Sequence, residues 1–319
     1  MDQKNKLIWI KITSIIICVI LISILLIIPI LYDFWWNEWL RDIFPGTDYI
    51  WRFITEFGGT YVYYGMFFIF YWGINKQYAK SLFRVYVGSN FVNFYSKALI
   101  NRGRPDESLW ILIGAGHLST PSGHAMSSSV WWGYIAIYLK KWWMWVTSII
   151  IIILVGLSRN YLGVHWLGDV LTGWLFGMII LLLVLILRNP IYSFLEKKAI
   201  NQGVLSICGI ILAIIILILT EILYNSTYNI GTPCGQLLGM SIGFYVEQKY
   251  INFNENIREK KWWKGLIRLI LGLILILCFF MGLDLFLSSS VFWQNTLMHM
   301  LTLLFGIVFW PLIFQKINI

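Results

Sequence analysis

Long apolar runs of about 18 to 24 residues constrain this chain more than any other feature, because each can cross a bilayer as a helix. Inside a bilayer, every backbone N–H and C=O must be paired within its own segment, and an α-helix achieves this. The pattern therefore predicts an all-α polytopic transmembrane bundle of about ten spans. The predicted spans are residues 9–32, 59–75, 81–100, 122–139, 143–160, 165–187, 203–223, 229–246, 264–283 and 296–314.

Composition supports the same class of protein. Of the 319 residues, 59% are hydrophobic and 12% are charged, whereas about a quarter of the residues of a soluble domain are charged. The net charge of +9 does not predict a nucleic-acid partner, because no basic stripe is interleaved with exposed polar residues. The bilayer is the expected environment.

The basic residues are distributed unevenly between the two ends of the predicted spans. Under the ten-span topology, 18 of the 24 Lys and Arg lie on the side of the termini, and the other six lie on the opposite side. Cytoplasmic loops of membrane proteins carry an excess of basic residues. The distribution predicts a multi-pass cell-membrane protein with cytoplasmic termini and with its polar motifs on the extracytoplasmic face.

Three regions follow from the order of apolar runs and polar segments. Residues 1–58 hold the first span and a Trp-rich segment, 59–200 form a catalytic core, and 201–319 form a C-terminal transmembrane extension. Between residues 33 and 58, Trp and aliphatic residues recur at helical spacing, which favours an amphipathic helix in the membrane interface. A loop that covers the helix ends is an equal alternative.

Eleven residues in three blocks carry most of the chemistry, and polar groups in a membrane protein usually serve a function. The blocks are Lys97 with Arg104-Pro105, then Pro121-Ser122-Gly123-His124, then Ser158-Arg159 with His165 and Asp169. Three fixed cations suit an oxyanion such as phosphate. Two histidines suit the transfer of that group, one as nucleophile and one as proton donor.

The local sequence gives several of these residues a defined setting. Ser122 opens a predicted span, and a helix start offers unpaired N–H groups and a positive dipole end to an anion. Gly123 permits close backbone approach, and His124 follows in the first turn. Asp169 is four residues after His165, on the same helical face. Its carboxylate can accept from one ring nitrogen and leave the other nitrogen free to attack.

These blocks, with their spacing, resemble the type 2 phosphatidic acid phosphatase family, whose pattern is K-x6-RP, PSGH and SR-x5-H-x3-D. The resemblance covers roughly residues 60–187, where the family has a six-helix core. It implies that five residues bind the phosphoryl group: Lys97, Arg104, Ser122, Gly123 and Arg159. It also implies that His165 attacks phosphorus, that Asp169 orients His165, and that His124 protonates the leaving group.

The resemblance further implies hydrolysis of a phosphomonoester or pyrophosphate of a lipid through a phosphohistidine. Phosphatidate and isoprenyl or sphingoid phosphates are the expected substrates, and no metal or other cofactor is expected. A sugar-phosphate phosphatase of the glucose-6-phosphatase type and a phosphotransferase remain as alternatives. A lipid or anion transporter is a weaker alternative, because the polar residues cluster at one face instead of continuing through the spans.

One predicted span carries a glycine at every fourth position: Gly231, Gly235, Gly239 and Gly243. Such a face lets another helix approach closely. Packing within the monomer is the favoured use of this face, and a homodimer contact through residues 231–243 is the alternative.

The remaining polar residues are given structural roles. His299 is predicted to be a buried packing or hydrogen-bonding residue, and His117 is predicted to be a solvated loop residue. Arg102 is predicted to be a loop charge, with Asp106 and Glu107 either paired with it or directed away from the site. The four cysteines lack metal-ligand spacing and predict no disulfide.

Overall fold

The computed structural model describes residues 13, 29–112, 116, 118–224, 230–254 and 262–317. Most of the predicted span 9–32, together with His117, lies outside these residues. Within the described ranges the chain is almost entirely helical, and β-pairing is limited to an isolated bridge between Gly103 and Leu118. The predicted all-α class is confirmed.

The helices are numbered here in chain order. They are α1 (Pro29–Ile43), α2 (Asp48–Glu56), α3 (Thr60–Gly73), α4 (Lys76–Ile100), α5 (Gly123–Leu139), α6 (Trp142–Tyr161), α7 (Leu167–Lys197), α8 (Gln202–Tyr224), α9 (Gly231–Val246), α10 (Trp262–Asp284), α11 (Phe292–Leu304) and α12 (Trp310–Lys316). A π-helical turn, Glu247–Ile251, follows α9, and another, Phe305–Phe309, joins α11 to α12.

Five helices of the described part are long and apolar enough to cross a membrane. They are Trp142–Tyr161, Leu167–Lys197, Gln202–Leu223, Trp262–Asp284 and Phe292–Lys316. The membrane class is therefore supported, whereas the count of ten spans is not confirmed. Helices α3, α5 and α9 occupy predicted spans but have only 14, 17 and 16 residues, and a span needs about 20. A helix buried in protein gives the same apolar signal as a span.

The chain divides into two compact units. The first comprises residues 1–60 and 95–182, and the second comprises residues 61–94 and 183–319. The boundaries fall within α3, α4 and α7, because each of these helices contributes to both units. The three regions predicted from the sequence stay a prediction.

In the first unit, α5 and α7 pack closely because small residues line their contact. A Cβ atom added to Gly173 would lie 2.7 Å from the Ser122 carbonyl oxygen, and one added to Gly177 would lie 2.5 Å from Ser129 Cβ. The Ser122 N–H donates to the Asp169 carbonyl over 2.9 Å. The glycines of α7 thereby allow the second motif block to lie against the third.

The Trp-rich segment forms the helices α1 and α2, which both contact α6. The side chains of Asp33, Asn37 and Leu40 follow one face of α1 and are buried, whereas Trp35 is 56% exposed. An interfacial helix would instead turn its polar side chains to water. The segment is helical, as predicted, and does not form the alternative covering loop, but α1 buries Asp33 and Asn37 in the protein instead of turning them to water.

In the second unit, the glycine face of α9 packs on α11. Cβ atoms added to Gly235 and Gly239 would lie 2.3 Å from the Thr296 carbonyl oxygen and 2.8 Å from Leu303 Cβ. The predicted packing within the monomer is therefore observed. The alternative of a homodimer through residues 231–243 needs this same glycine face, which α11 covers here.

His299 on α11 is buried, as predicted. The Tyr64 hydroxyl lies 2.8 Å from its Nδ1, and the Thr232 hydroxyl lies 3.1 Å from its Nε2. Both ring nitrogens have a partner, so the structure gives this histidine a hydrogen-bonding role.

Candidate active site

The three motif blocks meet around the ends of four helices. Lys97 lies near the C-terminal end of α4, and Arg159 lies in the last turn of α6. His124 lies in the first turn of α5, and Asp169 lies in the first turn of α7. His165 lies just before α7, in the short connection from α6.

Asp169 orients the His165 imidazole, as the four-residue spacing predicts. Nδ1 of His165 lies 3.2 Å from Asp169 Oδ2, and both side chains are buried. Nη1 of Arg104 lies 3.0 Å from the other ring nitrogen, Nε2. A guanidinium can only donate, so this pattern assigns Nε2 as an acceptor and places the proton on Nδ1. The ring is held as the neutral tautomer with its Nε2 lone pair toward a cation.

The charges around His165 favour this neutral form. Burial lowers the pKa of the imidazole well below its usual value, and the positive charges of Arg104, Lys97 and Arg159 lower this pKa further. An unprotonated nitrogen is what a histidine nucleophile requires.

The Asp169 carboxylate accepts hydrogen bonds that the sequence reasoning missed. Oδ2 accepts from the Trp166 backbone N–H over 2.8 Å and from the Ser119 hydroxyl, and Oδ1 accepts from the Thr120 hydroxyl. Ser119 and Thr120 are both buried. The available sequence signal was the position of these hydroxyls directly before the PSGH block. Together the donors fix the carboxylate on both of its oxygens.

Lys97 and Arg104 also organise the loop between α4 and α5. Lys97 Nζ donates to the carbonyls of Leu118 and Ser119 over 2.9 and 3.0 Å. Arg104 donates to the carbonyls of Gly116 and Val164. Burial lowers the pKa of Arg104 to about 10 and the Asp169 charge opposes this shift, so the guanidinium stays charged at neutral pH.

The inner wall of the site contains buried polar atoms without a hydrogen-bond partner. Arg159 is 4% exposed, and its Nη1 donates to the Thr55 hydroxyl over 2.8 Å, whereas its Nε has no acceptor. The Ser122 hydroxyl is fully buried and is also unpaired. A buried polar group without a partner costs about 1–3 kcal/mol. Both groups are donors of the kind that a bound anion satisfies.

The backbone at His165 is held from two helices. Asn37 of α1 and Asn160 of α6 each donate a side-chain N–H to the His165 carbonyl over 3.1 Å. Sequence reasoning missed both amides, because nothing in their local sequence points to a residue in another block.

Arg102 does not behave as the predicted loop charge. It pairs with Asp33 of α1, and its Nη1 lies 3.6 Å from Asp169 Oδ1. Asp106, predicted either to pair with Arg102 or to be directed away from the site, is exposed and accepts from the Ser108 N–H. Arg102 thereby lies between Asp33 of α1 and the Asp169 carboxylate.

Three motif residues have mainly local contacts in the structure. The Ser158 hydroxyl donates to the Val155 carbonyl within α6, and the Pro105 carbonyl accepts from Trp110 Nε1. Gly123 is the first residue of α5. Among the described residues, no group of three or more His, Cys, Asp or Glu side chains is placed to hold a metal ion.

Comparison with known families places these residues in context. Residues 78–193 match the model of the PAP2 superfamily, and this range contains all three motif blocks. Residues 231–319 match a second model, described as the transmembrane extension of PAP2 superfamily phosphatases. The predicted C-terminal transmembrane extension thus corresponds in part to a family of its own.

Similar proteins include two curated relatives and one solved structure. Phosphatidylglycerophosphatase B of Bacillus subtilis is 30% identical over 177 residues, which cover 50% of this chain and 81% of the relative. Undecaprenyl-diphosphatase of Sulfolobus acidocaldarius is 48% identical over 60 residues, 18% of this chain and 28% of the relative. The crystal structure of a transmembrane PAP2-type phosphatidylglycerolphosphate phosphatase from Bacillus subtilis matches with a TM-score of 0.46 and 26% identity, covering 58% of this chain and 96% of that one.

The first relative is matched over most of its length at an identity that shows common descent. The matched family range also contains every position of the pattern that suggested the resemblance. The chain belongs to the PAP2 superfamily, as a membrane-embedded phosphatase with the transmembrane extension of that superfamily.

Proposed function

We propose that this chain hydrolyses the phosphomonoester or pyrophosphate of a lipid through a phosphohistidine formed on His165. One observation carries the proposal. Nδ1 of His165 faces Asp169, while Nε2 faces the cation Arg104 at 3.0 Å. A nucleophilic nitrogen next to a cation that can bind a phosphoryl oxygen is the arrangement that attack on phosphorus requires.

In this proposal the phosphoryl group is bound before any bond changes. Arg104, Lys97 and Arg159 neutralise the phosphoryl oxygens, and the unpaired Ser122 hydroxyl and the N–H of Gly123 donate to them. The buried and unpaired Nε of Arg159 supports this role, because a bound anion would satisfy it.

Two displacements at phosphorus then complete the reaction. His165 Nε2 forms a bond to phosphorus as the bond to the leaving oxygen breaks, and His124 transfers its proton to that oxygen. Water next attacks phosphorus and gives a proton back to His124, while the N–P bond breaks and phosphate leaves. The net reaction consumes one water. A phosphomonoester yields an alcohol and inorganic phosphate, and a lipid pyrophosphate yields the lipid monophosphate and inorganic phosphate.

A lipid substrate is supported by the relatives and by the surroundings of the site. The two similar proteins are named for phosphatidylglycerophosphate and for undecaprenyl diphosphate. Two membrane-compatible helices, α6 and α7, carry residues of the site at their ends. The charge distribution along the sequence supports cytoplasmic termini and a site on the extracytoplasmic face of the cell membrane.

Phosphate release by the purified chain in detergent tests the proposal. The substrates are phosphatidate, phosphatidylglycerophosphate, an isoprenyl diphosphate and glucose 6-phosphate, each with and without EDTA. We expect release from at least one lipid, insensitivity to EDTA, and an acid-labile phosphoenzyme that is absent from His165→Ala. Release from the sugar phosphate alone would replace the lipid assignment with the sugar-phosphate alternative.

His299→Ala is the matched control, because this buried histidine also has partners on both ring nitrogens but lies in the second unit. We expect it to form the phosphoenzyme. Full activity of His165→Ala, or activity that requires a metal ion, would refute the proposed mechanism.

A further inference from the structure

Helix α2 reaches the candidate site although it precedes the matched family range, which begins at residue 78. Its residue Thr55 is 1% exposed and accepts a hydrogen bond from Nη1 of Arg159 over 2.8 Å. Two residues after the helix, Gly58 lies against His124, since a Cβ atom there would be 3.2 Å from His124 Cδ2. The end of α2 therefore contacts two motif residues.

The bond to Thr55 restricts how Arg159 can bind an anion. A guanidinium offers two edges for a two-point contact, one formed by Nη1 and Nη2 and the other formed by Nε and Nη2. Thr55 takes one of the two N–H groups of Nη1, and Nε is buried without an acceptor. The edge formed by Nε and Nη2 therefore has an unsatisfied buried donor and is the edge best suited to the two oxygens of a phosphoryl group.

The position of α2 is itself fixed against α6, the helix that carries Arg159. The Trp51 ring stacks on the Tyr161 ring with 5.1 Å between centroids and 20° between planes. The Tyr161 hydroxyl, which has one hydrogen to donate, lies 2.9 Å from the Phe44 carbonyl oxygen and 2.8 Å from Asp48 Oδ1. Thr55 is therefore presented to Arg159 by a helix with its own anchors.

We propose that Thr55 is a positioning residue for the phosphatase reaction, holding the Arg159 guanidinium so that its Nε edge faces the phosphoryl oxygens. This inference rests on the function proposed above, in which Arg159 binds the phosphoryl group. It makes α2, which lies outside the matched family range, part of the phosphate site.

Thr55→Val removes the hydroxyl and keeps the volume of the side chain. A hydrogen bond to a charged group contributes about 1.5–3 kcal/mol, which corresponds to a loss of about 10- to 100-fold in kcat/KM. We expect a similar weakening of inhibition by orthovanadate, because vanadate presents the oxygens of a phosphoryl group. Thr55→Ser keeps the hydroxyl and should retain activity within about threefold of wild type.

Thr302→Val is the matched control for loss of a buried hydroxyl. Thr302 is fully buried in the second unit, and its hydroxyl donates to the Met298 carbonyl within α11. We expect this variant to keep wild-type kcat/KM and vanadate inhibition. If Thr55→Val yields no folded protein, Thr55→Ala removes the same hydroxyl without a branched methyl group.

A double-mutant cycle separates positioning from a general structural effect. An Arg159→Lys variant has an ammonium group in place of the guanidinium, so it has no Nε edge for Thr55 to orient. In this background Thr55→Val should lower kcat/KM by less than about threefold. An equal loss in both backgrounds, or Thr55→Val activity equal to wild type, would overturn the inference. A wild-type protein that neither releases phosphate nor binds vanadate would instead refute the proposed function.

Discussion

Asp169→Asn tests whether the charge of this carboxylate, as well as its hydrogen bonds, drives the reaction. Oδ2 accepts from the Trp166 backbone N–H, which can only donate, so the carbonyl oxygen of Asn must take this position. The same oxygen then keeps the bond from His165 Nδ1. The amide nitrogen faces the Thr120 hydroxyl, which can rotate to accept a hydrogen bond. The variant therefore removes the charge and retains the reactive tautomer.

The Nδ1–Oδ2 distance of 3.2 Å sets the size of the effect. In the proposed mechanism, phosphoryl transfer to Nε2 leaves a positive charge on the imidazole ring. With an effective dielectric constant of about 20, unit charges at this distance interact by about 5 kcal/mol, or about half of that if half the charge has developed in the transition state. Since each increment of about 1.4 kcal/mol changes a rate tenfold, kcat should fall by about 10² to 10⁴.

The assay is the rate of phosphate release under saturating substrate, with the amount of phosphoenzyme measured in the same preparation. We expect phosphohistidine formation to become slow enough to limit the rate. Asp284→Asn is the matched control, because Asp284 is an exposed carboxylate at the end of α10 in the second unit. A kcat for Asp169→Asn within threefold of wild type would refute the electrostatic reasoning, because the ring charge would then not depend on this carboxylate.

Three further predictions concern packing, pH and topology. Gly58→Ala should lower kcat about tenfold, because the added Cβ would lie 3.2 Å from the His124 ring and only 2.5 Å from Val155 Cγ1; unchanged kcat would contradict this contact. Arg104→Gln removes a charge that lowers the His165 pKa, so this pKa should rise and the acid limb of the kcat/KM profile should move to higher pH. An acid limb at the same pH as in wild type would contradict an effect of the Arg104 charge on the His165 pKa. Ser108→Cys, an exposed position in the α4–α5 loop, should react with an impermeant thiol reagent on intact cells in a cysteine-free background, whereas labelling only after lysis would reverse the proposed topology.

Local spacing explains which parts of the site could be predicted. His165 and Asp169 are four residues apart, so their contact is local in sequence and could be predicted, although His165 lies just before α7 instead of on the helix itself. Ser119 and Thr120 bond to the same carboxylate across about 50 residues of sequence, and no periodicity specifies such a contact. The pairing of Arg102 with Asp33 could not be predicted for the same reason, because Asp33 is distant in sequence.

The number of spans shows a different limit of sequence reasoning. The apolar signal of α5 predicted a span; α5 has 17 residues, the short end of the range for a span, and most of its side chains are buried in the protein, so this span stays a prediction. Hydropathy reports that a segment avoids water and does not distinguish lipid from protein as its surroundings.

The sequence by itself determined the helical class, the membrane setting and the chemical types gathered in the three motif blocks. These properties depend on run length and short spacing, which a single segment contains. Only the tertiary structure decided that α1 and α2 contact residues of the candidate site, that the glycine face of α9 packs on α11, and that Thr55 accepts a hydrogen bond from Arg159. Thr55 and Arg159 are 104 residues apart, so their contact exists only because the packing of α2 on α6 brings them together.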